Sequence, residues 1–145
     1  MMRLGFSLLF LVTQASFALP PCPKSVLERW ENCEGTYKFT NGDVYEGEFG
    51  ANTMHGEGTY VWADGTRHIG QWANGVRFGP GTYTAPNGDE YVGEHANNQF
   101  HGEGVYTSVE GGRIVGTWQF DQPWNAFMYD ANGQLIRLYA NGVSQ

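Results

Sequence analysis

Basic residues are scarce in this chain: eight Lys and Arg stand against fifteen Asp and Glu, a formal net charge of −7. Nucleic acids and anionic membrane surfaces are both held by clustered Lys and Arg, so this balance disfavours either partner. Cysteine is nearly absent too, with only Cys22 and Cys33. Neither a Cys-x-x-Cys spacing nor clustered His accompanies them, which argues against a redox or zinc pair. The apolar run from Leu4 to Val12 is too short for an ordinary membrane span. No nucleophile elbow, phosphate loop or zinc signature occurs, and no Asn-x-Ser/Thr sequon. Missing sequons favour a bacterial exported protein over a eukaryotic one.

Glycine and aromatics, by contrast, are plentiful and regularly placed. The stretch Gly58 to Trp72, GTYVWADGTRHIGQW, recurs from Gly35, from Gly81 and from Gly104. The opening glycines are 23 residues apart each time, the mark of a repeat array. Within one copy, Tyr37 and Phe39 alternate with polar residues, and so do Tyr45, Gly47 and Phe49 after Asn41-Gly42. Alternation on both sides of Asn-Gly predicts a β-hairpin. Parity sets its loop: only an odd loop, with Gly42 left-handed after a type I turn, keeps all four rings on one face. Gly47, Gly70, Gly93 and Gly116 fall mid-strand on that face, where a ring lying over bare backbone would explain them. The alternate glycines of His55-Gly56-Glu57-Gly58 are expected to supply the reversal between hairpins.

Tyr-x-Gly-x-Phe/Trp, five residues, then His-Gly-x-Gly-x-Tyr resembles the MORN repeat. The resemblance covers residues 35–57, 58–80, 81–103 and 104–126, with a degenerate fifth copy or C-terminal cap at 127–145. It implies an all-β fold, an elongated single-layer antiparallel sheet of stacked hairpins. It also implies a non-catalytic module of the kind associated with membranes, lipids, protein scaffolding and self-association. MORN connectors commonly carry a Lys four residues after the Phe or Trp. Here Thr53, Val76, Gln99 and Gln122 stand there, which disfavours recognition of anionic lipid.

The ends of the chain have their own signals. Residues 1–18 read as a signal peptide: Arg3, an apolar run, then Ser16-Phe17-Ala18 as a small-x-small cleavage site. Residues 19–34 are expected to form a cap on the first hairpin. Ser25-Val26-Leu27-Glu28 has the form of a capping box, predicting a short helix with Val26, Leu27 and Trp30 on its apolar side. In an oxidising compartment Cys22 and Cys33 would form one disulfide, worth about 3 kcal/mol. Near the C-terminus a turn at Asn132-Gly133 predicts a hairpin one residue short, with Ile136 in the Tyr place and Leu138 in the Gly place.

Candidate chemistry is sparse. His55 and His101 occupy one repeat position and would lie about 20 Å apart, too far to share a metal. His68 and His95 replace aromatics in different strands and at different heights, which gives them packing roles. Repeated carboxylates such as Glu48 and Glu94 offer no convergent site. No catalytic residue, metal ligand or cofactor is expected. The candidate binding face is aromatic: Tyr37, Tyr45, Phe49, Tyr60, Trp72, Tyr83, Tyr91, Tyr106 and Trp118. Trp118, beside the irregular last repeat, is expected to be the most exposed of these rings. The sequence thus points to a secreted or periplasmic, non-enzymatic scaffold with a protein partner or self-association. A peripheral lipid-binding protein and a carbohydrate-binding module with Tyr and Trp platforms are the alternatives.

Overall fold

The computed structural model describes residues 18–145. The expected signal segment, apart from Ala18, lies outside the described residues. From Cys33 onward the chain is one antiparallel meander. Its strands are β1 (Cys33–Lys38), β2 (Val44–Gly50), β3 (Thr53–Val61), β4 (Arg67–Ala73), β5 (Val76–Thr84), β6 (Glu90–Ala96), β7 (Gln99–Thr107), β8 (Arg113–Gln119), β9 (Gln122–Tyr129), β10 (Leu135–Ala140) and β11 (Val143–Ser144). All eleven lie in one sheet, in chain order.

Two kinds of turn alternate along it. Inside each repeat the loop is odd, as parity requires: Phe39 N–H donates to Asp43 O, Gly42 N–H donates to Phe39 O, and Gly42 has φ 95°. Tyr37 therefore stands opposite Tyr45, and the rings share one face. Between repeats, the reversal differs from expectation. It falls at Ala51-Asn52, Asn74-Gly75, Asn97-Asn98 and Phe120-Asp121, two-residue turns in which both φ angles are positive. Such mirror-image turns match the twist of the flanking strands. The following glycines lie inside β3, β5 and β7, where Gly56, Gly79 and Gly102 also have positive φ beside a register shift.

The expected N-terminal helix is not formed. Ser25 to Glu28 make a single turn in which Ser25 Oγ accepts from Leu27 N–H and Ser25 O from Glu28 N–H. Val26 and Leu27 stay exposed, so nothing apolar supports a second turn; only Trp30 is buried. Cys22 and Cys33 form the disulfide, their Cα atoms 4.8 Å apart. It lays Pro20 to Cys22 along β1: Glu34 N–H donates to Pro20 O and Cys22 N–H to Glu34 O, both at 2.8 Å. One open edge of the sheet is thereby covered.

At the other end β9 and β10 do form a fifth hairpin. Its loop, Asp130 to Gln134, has the same hydrogen bonds as the others. The missing residue lies instead in the connector, because Ala126 already pairs with Gly116 where a glycine stood before. A bulge at Ile136 then shifts the register, so Tyr139 rather than Leu138 faces Ala126.

Glycines directly opposite one another run across the sheet. Gly35, Gly47, Gly58, Gly70, Gly81, Gly93, Gly104 and Gly116 pair in succession, each with the next, and Ala126 ends the row. They leave a trench on the aromatic face, and at successive repeat seams Tyr45, His68 and Tyr91 lie across it. A Cβ added at Gly58 would sit 2.5 Å from Tyr45 Cζ, and one at Gly104 equally close to Tyr91 Cζ. Ring over glycine holds, with one refinement: each ring spans the glycines of two repeats. At Gly70 the tightest neighbour is backbone, since an added Cβ would be 2.5 Å from Gly81 Cα. Gly70→Ala must then separate β4 from β5 and should cost at least the ~1–3 kcal/mol typical of overpacking. Denaturant midpoints measured beside the exposed control Thr36→Ala will check this; equal midpoints would refute the close approach.

Candidate functional site

The aromatic face is mostly used up by its own packing. Tyr45, Phe49, Tyr60, Trp72, Tyr91 and Trp118 are buried, while Tyr37, Tyr83 and Tyr106 are half-buried. Edge-to-face contacts link Tyr45 to Phe49 and Trp72, and Tyr91 to Trp118, at 5.1, 5.5 and 5.3 Å between centroids. Trp118 is not the exposed end ring that the sequence suggests. It is 4% exposed, its Nε1–H donates to Gly104 O, and Phe100 and Tyr106 also pack on it. Its indole packs back toward repeat three, so the irregular last repeat does not uncover it.

Buried hydroxyls and carboxylates tie one repeat to the next. Tyr45 Oη–H is placed between Glu48 O and His55 O, and Tyr91 Oη–H between Glu94 O and His101 O. Burial pushes both phenols well above their ordinary pKa, with Glu48 and Glu94 adding to it. Asp43 accepts from Tyr60 Oη–H at 2.6 Å and from Ala63 N–H, joining the first turn to the second repeat. Asp89 does the same with Tyr106 and Val109. These bonds hold both carboxyls below the usual range.

The second repeat breaks the pattern. His68 and His95, which looked separate in sequence, come together across β4 and β6 with ring centroids 4.6 Å apart. They are 0% and 2% exposed. Among the described residues no ring nitrogen makes a well-formed hydrogen bond, although the Gly93 and Gly79 backbone lies close enough to His95 to oppose part of its shift. Arg77 lies nearby, its guanidinium over the Trp62 and Tyr83 rings at 5.7 and 5.0 Å. Burial lowers the His68 pKa to about 3, helped by His95 and Arg77. Burial, then Arg77, lowers that of His95 to about 4. Both imidazoles are thus neutral core rings standing in aromatic places. Among the described residues no group of three or more His, Cys, Asp or Glu could hold a metal ion.

What sequence reading missed is the opposite face. Thr36, Glu46, Thr59, Ile69, Thr82, Val92, Val105, Val115, Phe127 and Leu138 stand directly opposite one another from β1 to β10. The row is polar at its start and apolar from Val92 onward. Val92 is 48% and Phe127 47% exposed, and Leu138 is exposed too. The signal was the change from Thr36 and Glu46 to valine and phenylalanine at matching repeat positions.

Two outcomes follow for the buried rings. Trp118→Ala should lose stability, by the ~3–5 kcal/mol of a large-to-small core change, rather than leave the thermal midpoint untouched. Calorimetry of that variant decides between the two. The histidines set an acid limit. Unfolded imidazoles titrate near 6.5 and the folded ones far lower, so below pH ~6.5 the unfolded state binds more protons. Their contribution is complete above that pH and is lost as pH falls toward about 4 for His95 and about 3 for His68. The Asp43 and Asp89 contributions fade only below the ordinary carboxyl value of 3.8. Stability measured from pH 7 to 4 should slope downward in the wild type and flatten in His68→Phe/His95→Phe. An unchanged slope would show that these imidazoles are not buried neutral.

Comparison with known families accords with this geometry. The MORN repeat model matches residues 34–44, 45–67, 68–90 and 91–113, consecutively and over more than half of the chain. The full matches begin at Tyr45, His68 and Tyr91, the three trench-covering residues, one strand out of phase with a count from the opening glycines. No curated protein matches the chain. A single meandering sheet, a 23-residue period and a glycine trench roofed by rings agree with that match: the chain belongs to the MORN repeat family.

Proposed function

We propose that this chain is an exported, non-enzymatic binding or scaffolding module whose protein partner docks on the apolar half-row of the outer face. The observation that carries this is the run Val92, Val105, Val115, Phe127 and Leu138. These are cross-strand neighbours on one sheet, with no second layer above them among the described residues. Val92, Phe127 and Leu138 are exposed and Val105 and Val115 half-buried between them, and an apolar patch of this kind marks an interaction site. Glu90, Glu94 and Glu103 border the Val92 end, which favours a protein over an anionic lipid surface. Export is supported by the signal-like residues 1–18 and by the Cys22–Cys33 disulfide, which leaves no free cysteine. Oxidising compartments are where such bonds persist.

The test is crosslinking capture from the native host, comparing wild type with Val92→Ser/Phe127→Ser. Each truncated side chain would forgo roughly 1.5–3 kcal/mol of apolar burial, so capture should fall by more than tenfold. The thermal midpoint should barely move, because both side chains already face solvent. Added salt should change binding little, since apolar contact carries it. Undiminished capture by the double variant would move the interface off this face.

A further inference from the structure

Beyond that reading, and on the opposite face, we propose that the cleft beneath the N-terminal cap binds a quaternary ammonium group. The cleft has a volume of about 520 Å³ and lies between the cap and the first two repeats. Four aromatic side chains line it: Trp30, Tyr37, Phe39 and Phe49. Their planes are steeply inclined to one another, Trp30 to Phe49 at 90°, Trp30 to Tyr37 at 85° and Tyr37 to Phe39 at 70°. The rings meet edge to face, with centroids 6.0, 4.6 and 4.8 Å apart for Trp30–Tyr37, Trp30–Phe49 and Tyr37–Phe39. The cleft is thus bordered by rings of differing orientation rather than by a flat stack, and a cation seated over a ring face is attracted to it. The cap positions the key wall. Trp30 N–H donates to Asn52 Oδ1 at 2.7 Å, Asn52 N–H donates back to Trp30 O, and the disulfide anchors the segment before and after it.

What the cleft does not offer decides the ligand class. Asn52 Oδ1 is committed to Trp30, and Thr53 Oγ1–H donates to Gly50 O. Among the described residues no carboxylate and no basic side chain lines the cleft. A primary ammonium entering it would strip water from three N–H donors and meet only the neutral oxygens of Tyr37, Asn52 and Thr53, with no carboxylate to pair its charge, so the cost is only partly offset. A quaternary ammonium has no donor to lose and spreads its charge over methyl groups that fit against ring faces. The net charge of −7 adds a field that draws a cation toward the surface. The volume suits a small head group with one substituent leading outward. Soluble choline-like compounds and phosphatidylcholine head groups share this chemistry.

Calorimetric titration of the full chain tests the proposal with four probes: choline, its neutral isostere 3,3-dimethylbutan-1-ol, ethanolamine and phosphatidylcholine vesicles. Choline is expected to bind about tenfold more tightly than the neutral isostere or ethanolamine. Tyr37→Leu and Phe39→Leu, which keep apolar packing, should weaken choline about fivefold or more without changing affinity for the neutral isostere. Disulfide reduction should weaken choline as well. Vesicle binding that choline displaces would name the lipid head group as the source, and choline binding without vesicle binding a soluble one; both uphold the site. Equal affinity for the neutral isostere would reduce it to a plain apolar cleft and overturn the proposal. So would equal affinity for ethanolamine, or no heat at tens of millimolar choline. Val92→Ser/Phe127→Ser should bind choline normally, so failure of the partner surface and failure of this cleft are separately visible.

Discussion

Everything in this sheet depends on the row of glycines that pair with one another from β1 to β8. Side chains elsewhere on that face would hold the rings of adjacent repeats apart. Their absence lets Tyr45, His68 and Tyr91 fold down across two strands at once. A single layer has no second sheet to bury its apolar face, so the rings must bury one another. The trench is what allows them to do so within one layer. Stability is consequently a property of seams, each made by a ring from one repeat and bare backbone from the next. Where the row ends, at Ala126, the packing ends too. Ile114 and Ala126 replace a ring and a glycine there.

Repeats one and three are nearer to each other than to the repeat between them. Asp43 and Asp89, Tyr45 and Tyr91, Glu48 and Glu94, and His55 and His101 fill the same roles 46 residues apart. Each of these tyrosine hydroxyls lies between two backbone carbonyls of the seam, its single proton within hydrogen-bonding distance of both. At the middle seam His68 takes the ring's place without making those bonds, and His95 joins it. A neutral imidazole fills much of the volume of an aromatic ring but can acquire a charge that the core cannot solvate. The centre of the array thus trades hydrogen bonds for sensitivity to acid.

Much of this was legible beforehand, and the failures have physical reasons. Period-two alternation around Asn-Gly fixes hairpins, and parity fixes the odd loop, because both are local constraints. Gly47 and its equivalents announced a close approach, although the partner strand could not be read from spacing alone. The connector turn was missed because Ala51 and Phe120 adopt positive φ with no glycine to signal it; the glycines downstream drew attention instead. Capping-box residues at Ser25 and Glu28 predicted a helix, but a local motif needs apolar support, and Val26 and Leu27 have none. His68 and His95 meet across β5, which lies between β4 and β6, a contact between non-adjacent strands that spacing alone did not reveal.

The candidate sites share a logic that follows from the trench. A face whose rings are consumed in holding the array together has little left with which to bind. Binding surface can then arise only where the stacking stops or on the side it never uses. The first place is the N-terminal end, where Trp30 substitutes for a preceding repeat but fits less closely, leaving the cleft. The second is the outer face, whose residues alternate with the glycines and rings and are free of their packing constraint. There the central row changes from Thr36 and Glu46 to Val105, Val115 and Phe127 without disturbing a single seam. Register couples the two faces nonetheless: a one-residue slip would exchange the inner and outer side chains of a strand, turning its rings outward. The glycine trench, by admitting only one register, places the outer apolar row as firmly as it places the buried rings.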